Sequence, residues 1–154
     1  MSEIIKHKPL PTFSIGVDCG TTTGIAVFSV ADNLLFGIKS TDFFGAIDYL
    51  GGFKPNIAIV YVEIPPAFVY ARNRQMQGAV RDKFSINAGG VRRESQLLAE
   101  GLRKRGLHVV EVPPIKQNKW TQEEFERHLK TDIKTNQHIR DAARIAWSYA
   151  GKKF

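Results

Sequence analysis

Ile57-Ala-Ile-Val-Tyr-Val62 is apolar at every position, with no polar residue alternating through it. A strand over 57–62 therefore has no face to offer water and belongs in the middle of a sheet covered on both sides. That requirement restricts the chain to layered α/β arrangements. Glu63 follows at once, and Pro65 and Pro66 end the strand, so this acid is held at a sheet's C-terminal edge. A second strand, expected over 12–18, delivers Asp18 in the same way, with Ile15 and Val17 alternating with smaller residues. After it, Cys19-Gly20-Thr21-Thr22-Thr23-Gly24 reads as a tight turn whose small side chains and backbone N–H groups leave room for a large anion. A hairpin in which Asp18 only satisfies its own turn is the simpler reading of that stretch. Two core strands that both end in acids are costly without a charge to neutralise them, and that favours a metal site.

The other elements follow in order. Strands are expected over 24–31 and 34–39, joined by a turn at Ala31-Asp32-Asn33. Asp42 to Leu50 has Phe43, Phe44, Ile47 and Leu50 at helical spacing, with Gly51-Gly52 as the stop. From 67 to about 87 no stable periodicity is visible. Aromatic and basic residues are interleaved there: Phe68, Tyr70, Arg72, Arg74, Arg81, Lys83 and Phe84. Ala88-Gly89-Gly90 leads into a helix over Val91–Arg105, capped by Gly106, in which Val91, Ser95, Leu98 and Leu102 share a face. Leu107–Val112 is a fifth strand, closed by Pro113-Pro114. Residues 115–135 are polar and basic, with Trp120 isolated among them and a short helix over 121–130. The last helix spans 136–150, with Asn136 as its N-cap. Residues 1–11 read as a loose arm that ends in Pro9 and Pro11.

Length and composition narrow the class. At 154 residues the chain is expected to be one domain, and 43% hydrophobic with 24% charged residues is ordinary for a soluble globular protein. Twenty-two Lys and Arg against fifteen Asp and Glu leave +7, which suggests an anionic partner such as nucleic acid. The single cysteine, Cys19, excludes an internal disulfide and a Cys-rich zinc site, and reads as small-residue packing. No apolar run approaches a membrane span, and the first ten residues lack a signal-peptide core, so a cytoplasmic, reducing setting is the default expectation.

On the last helix His138 precedes Asp141 by three positions, so both project from one side. A helix packed over the centre of the sheet would carry that side to Asp18 and Glu63. Three carboxylates and an imidazole meeting there would suit Mg²⁺ or Mn²⁺, and their mutual repulsion would call for a cation. The imidazole is a borderline ligand that Mn²⁺ tolerates better than Mg²⁺.

Across residues 12–150 the chain resembles the RuvC-type Holliday junction resolvases of the RNase H-like superfamily. Ile15-Gly-Val-Asp18-Cys-Gly-Thr-Thr-Thr-Gly24 is similar to that family's first motif, a strand-borne Asp before a Gly-rich turn. Val62-Glu63 is similar to its second, and His138-Ile-Arg-Asp141-Ala-Ala-Arg-Ile-Ala146 to its closing helix. Val112-Pro-Pro-Ile-Lys116 resembles the fifth-strand exit, where a catalytic Lys follows; Lys116 is the natural match and Lys119 the candidate for a second Lys.

The resemblance implies an RNase H-like fold: a five-stranded mixed sheet in the order 3-2-1-4-5 with helices on both faces. It also implies a dimeric, structure-selective endonuclease that cuts four-way or branched DNA with two Mg²⁺ or Mn²⁺ ions. Asp18, Glu63, His138 and Asp141 would be the ligands, and Lys116 would offset charge at the phosphate. Phe68 or Tyr70 would stack at opened base pairs, and Arg72, Arg74, Arg92, Arg93 and Lys119 would contact DNA. The helix from Val91 could pair across a two-fold axis. Arg144 reads as structural. Three other readings stand beside this one. The Asp18 turn also resembles the phosphate motif of sugar kinase and actin-like ATPases, which need a longer chain. YqgF-type relatives, similar nucleases linked to RNA, fit the His-x-x-Asp helix less well. A protein that binds junctions without cutting them would not need all four ligand candidates.

Overall fold

The computed structural model of the chain describes residues 12–66 and 78–151. The elements run β1 (Phe13–Asp18), β2 (Thr23–Ser29), β3 (Leu34–Thr41), α1 (Phe43–Gly51), β4 (Ala58–Glu63), α2 (Gly78–Lys104), β5 (His108–Val112), α3 (Gln122–Leu129) and α4 (Gln137–Tyr149). The strands form one sheet in the order β3-β2-β1-β4-β5. β1, β2 and β3 pair antiparallel as a meander, whereas β4 and β5 join β1 in parallel. The order is the expected one, because short turns keep the first three strands adjacent and helical crossovers return the chain for the last two.

Alternation along the strands builds two cores. Ile15, Val17, Ile25, Val27, Val60 and Val62 point to one face and are buried against Ala46 and Leu50 of α1 and Leu98 and Leu102 of α2. Ala26 and Phe28 point to the other face and pack with Ala142, Ala143 and Ala146 of α4 and with Phe125 and Leu129 of α3. On α1 the expected apolar face differs from its spacing, since Phe44 is exposed while Phe43, Ala46, Ile47, Tyr49 and Leu50 turn inward. Asp42 caps this helix by accepting from the Gly45 N–H at 2.7 Å.

α4 lies on the sheet almost backbone to backbone. A Cβ added to Gly16 of β1 would collide with the Ala142 carbonyl, and one added to Gly24 of β2 with the His138 carbonyl. One helical turn beyond Ala142, Ser14 donates from Oγ to the Ala146 carbonyl at 2.7 Å. Small residues on the strands and alanines on the helix thus replace the usual interlocking of large side chains.

Two expectations need correcting. Residues 78–87 are not irregular: α2 begins at Gly78 and runs through Gly89-Gly90 without a break. Neither glycine has anything within 4 Å of an added Cβ, so they lie on open helix surface and a glycine pair there does not force a stop. β4 is not fully covered on its α4 side, because α4 crosses β1 and β2 and leaves Ile59, Tyr61 and Glu63 half-buried. The expected arm over 1–11 and residues 67–77 lie outside the described residues. No described helix is long and apolar enough to cross a membrane.

The close approach of α4 yields a paired prediction. Gly16→Ala should cost about 1–3 kcal/mol or more, since backbone on both sides cannot yield as a side chain would. Gly90→Ala should instead stabilise by about 0.5–1 kcal/mol, by favouring helix at an open position. Denaturant midpoints of the two variants check this, and a tolerated Gly16→Ala would mean α4 is not held at that distance.

Candidate functional site

Strand register brings the first two acids together. Val17 of β1 lies opposite Val62 of β4 in a parallel pair, and Asp18 and Glu63 are the next residue of each strand. Side chains alternate along a strand, so Asp18 shares the face of Ser14 and Gly16, which meet α4. Glu63 shares the face of Tyr61, whose ring stacks on Tyr149 of α4 at 4.7 Å. Both carboxylates therefore stand on the α4 side, at the ends of neighbouring strands.

α4 supplies the other two groups. Asn136 caps it by accepting from the Ile139 N–H at 2.9 Å, which sets the first turn directly over the β1–β2 turn. Gly20 has no side chain to obstruct His138, whose ring an added Cβ would touch at 3.4 Å. His138 Nδ1 lies 2.9 Å from Asp18 Oδ2, a hydrogen bond between elements 120 residues apart. A neutral imidazole that donates from Nδ1 to this carboxylate keeps its lone pair on Nε2. Asp141, one turn on, accepts from Gln137 Nε2 at 2.7 Å through Oδ1 and from Lys119 Nζ at 3.1 Å through Oδ2.

Asp18, Glu63, His138 and Asp141 all line one cleft of about 230 Å³, together with Pro114, Ile115, Gln117, Lys119 and Arg144. Burial is the main influence on its acids. It pushes the Glu63 carboxyl up to about 7, with the charges of Asp18 and Asp141 adding to the rise. Asp18 is raised in the same way, against the lowering effect of its His138 hydrogen bond. The Lys119 ammonium works in the opposite direction on both. Among the described residues no three His, Cys, Asp or Glu side chains are gathered tightly enough to enclose an ion as they stand. Asp18 and His138 are turned to one another, and Asp141 to Lys119 and Gln137. The donor set itself, three carboxylates and an imidazole, fits a hard or borderline divalent cation such as Mg²⁺ or Mn²⁺.

The remaining sequence candidates fall into three groups. Lys116 is exposed and does not line the cleft, so Lys119 is the lysine beside the acids. The reason is tertiary: Arg144 of α4 donates to the Gln117 and Asn118 carbonyls, turning the segment so that residue 119 faces Asp141. Arg92 donates to the Pro65 carbonyl at 2.6 Å, which ties α2 to the end of β4, while Arg93 is exposed. Phe68, Tyr70, Arg72 and Arg74 lie outside the described residues. Cys19 is buried and its thiol is pushed up to about 12, chiefly by burial, as packing rather than nucleophilic use requires. Gln137 is the site residue that sequence reasoning missed, its spacing four before Asp141 being the available signal, whereas Arg144, read as structural, lines the cleft and holds the backbone before Lys119. Trp120 is not isolated: it is buried and stacks on His128 at 4.7 Å.

Glu63 makes stability depend on pH in a definite direction. Its carboxyl rises from an ordinary 4.5 to about 7 on folding, so the folded chain holds that proton more tightly than the unfolded one. The associated stability is present below the ordinary value and is lost as pH rises through about 7. The cation-free protein should thus melt lower at about pH 8 than at about pH 5.5, by roughly 2–6 °C. Glu63→Gln should flatten the difference, and a wild-type slope retained in that variant would exclude Glu63 as its source.

No protein-family model and no curated protein sequence matches this chain.

Proposed function

We propose that this chain is an RNase H-like, metal-dependent endonuclease acting on four-way or branched DNA, as the resemblance to RuvC-type resolvases implies. One observation carries the reading. Asp18, Glu63, His138 and Asp141, chosen as ligand candidates from three separate stretches of sequence, line the same cleft. The excess positive charge of the chain supports a polyanionic substrate.

Asp18, beside Glu63 in the sheet and hydrogen-bonded to His138, would hold the ions together with Glu63, Asp141 and His138 Nε2. Bound there, two Mg²⁺ or Mn²⁺ ions would polarise the scissile phosphate and lower the pKa of an attacking water. Asp18 also orients the His138 ring through Nδ1, and so aims Nε2. Lys119, rather than Lys116, is the ammonium near enough to the acids to offset charge at a phosphate. Two copies acting together would cut two strands, with Arg72, Arg74 and Arg93 as phosphate contacts and Phe68 or Tyr70 as stacking groups.

The test is cleavage of a four-way DNA junction in Mg²⁺ and in Mn²⁺, with Asp18→Asn as the matched variant. Asn keeps the shape and still accepts from His138, but removes the carboxylate charge. The variant should lose at least ~100-fold in rate while holding the junction as tightly or more so. A wild type that binds junctions and never cuts them would identify a non-catalytic binder, and cleavage confined to RNA would favour the YqgF-like reading. Binding should also weaken steeply with salt, with a log–log slope of about −0.9 per phosphate contacted. Removing Arg72 and Arg74 together should flatten that slope by up to ~2 units, and an unchanged slope would assign both to a solvated surface.

A further inference from the structure

Lys119 enters the cleft on a segment that α4 itself anchors. On its N-terminal side, Arg144 donates to the Gln117 carbonyl at 3.4 Å and to that of Asn118. On its C-terminal side, Arg140 Nε donates to the Trp120 carbonyl at 3.2 Å and Gln137 Nε2 reaches the same oxygen at 3.5 Å. The Trp120 ring is fixed as well, stacked on His128 and edge-on to Trp147 at 5.4 Å. Lys119 is therefore carried by the same helix that carries His138 and Asp141. Its side chain is 71% exposed, yet its Nζ is 3.1 Å from Asp141 Oδ2, and Gln137 already occupies the other oxygen.

We propose that Lys119 is a resident counter-ion of the cleft, which a divalent cation must displace from Asp141 before that carboxylate serves as a ligand. The inference rests on the cation-binding reading above, and it concerns affinity rather than turnover. Three acids crowd one cleft, and without a cation their repulsion needs an opposing charge. The Lys119 ammonium supplies it on a long, flexible stem, so it can swing into solvent while its anchored backbone stays in place. Exchanging it for a cation trades a single charge for a double one and frees Asp141 Oδ2. The lysine thereby raises the cation concentration at which the cleft fills.

Calorimetric titration of the full chain with Mn²⁺ tests this without reference to cleavage. Lys119→Met should bind Mn²⁺ about two- to fivefold more tightly, the size expected for losing one exposed ion pair. Lys119→Arg keeps the charge and should retain wild-type affinity. Lys116→Met removes a charge from the same segment outside the cleft and should leave affinity unchanged. In an Asp141→Asn background, most of the gain from Lys119→Met should vanish, because the pair is already broken. Equal tightening by the Lys116 and Lys119 variants would overturn the proposal in favour of a general charge effect. Unchanged or weaker binding in Lys119→Met, or a gain that persists in full without Asp141, would also overturn it. Absence of Mn²⁺ binding in every variant would overturn it together with the nuclease reading. The expected affinity pattern without junction cleavage would overturn the nuclease reading alone.

Discussion

Direct contact between the α4 backbone and the glycines of β1 and β2 is the constraint on which the cleft depends. Side chains at Gly16 and Gly24 would lift the helix off the sheet, and its first turn would no longer reach the end of β1. With them absent, the Ala142 and His138 carbonyls rest on the strands, and Ser14 adds a buried hydrogen bond to Ala146. The geometry is rigid because backbone, unlike a side chain, has no rotamer with which to relieve a clash. His138 and Asp141 are thereby held near Asp18 to the tolerance of a packed core, not of a surface helix.

Electrostatics acts against that packing. Asp18 and Glu63 are raised chiefly by burial, with the Asp141 charge adding to both and the Asp18 charge to Glu63, so the chain accommodates their charge at a cost. The cost is offset locally: His138 hydrogen-bonds Asp18, while Lys119 and Gln137 engage Asp141. Arg144 contributes from beneath, buried against the backbone that precedes Lys119. A scaffold that brings acids together and gives Asp18 and Asp141 exchangeable partners suits the proposed function, in which those partners would give way to a cation and an anionic substrate.

Much of this was legible in the sequence because it is written in local pattern. The unbroken apolar run at 57–62, the prolines after Glu63 and the Gly-rich run after Asp18 fixed where two strands stop and which acids stand at their ends. The Asn136 cap and the three-residue step from His138 to Asp141 placed the last helix and its polar side. The extent of α2 was not legible, since Gly89-Gly90 has the same composition on open helix surface as at a break.

Sequence alone thus determined where strands stop and which acids stand at their ends, because periodicity and chain stops are properties of neighbouring residues. Tertiary structure alone decided which lysine faces them. Lys116 and Lys119 are chemically alike and three residues apart, and nothing local distinguishes them. The choice is made by Arg144 and Arg140, which grip the backbone on either side of residue 119 from α4 and turn its side chain toward Asp141. It is likewise only the diagonal path of α4 across β1 and β2 that leaves Glu63 half-buried and open to the cleft, while Val62 beside it is sealed in the core.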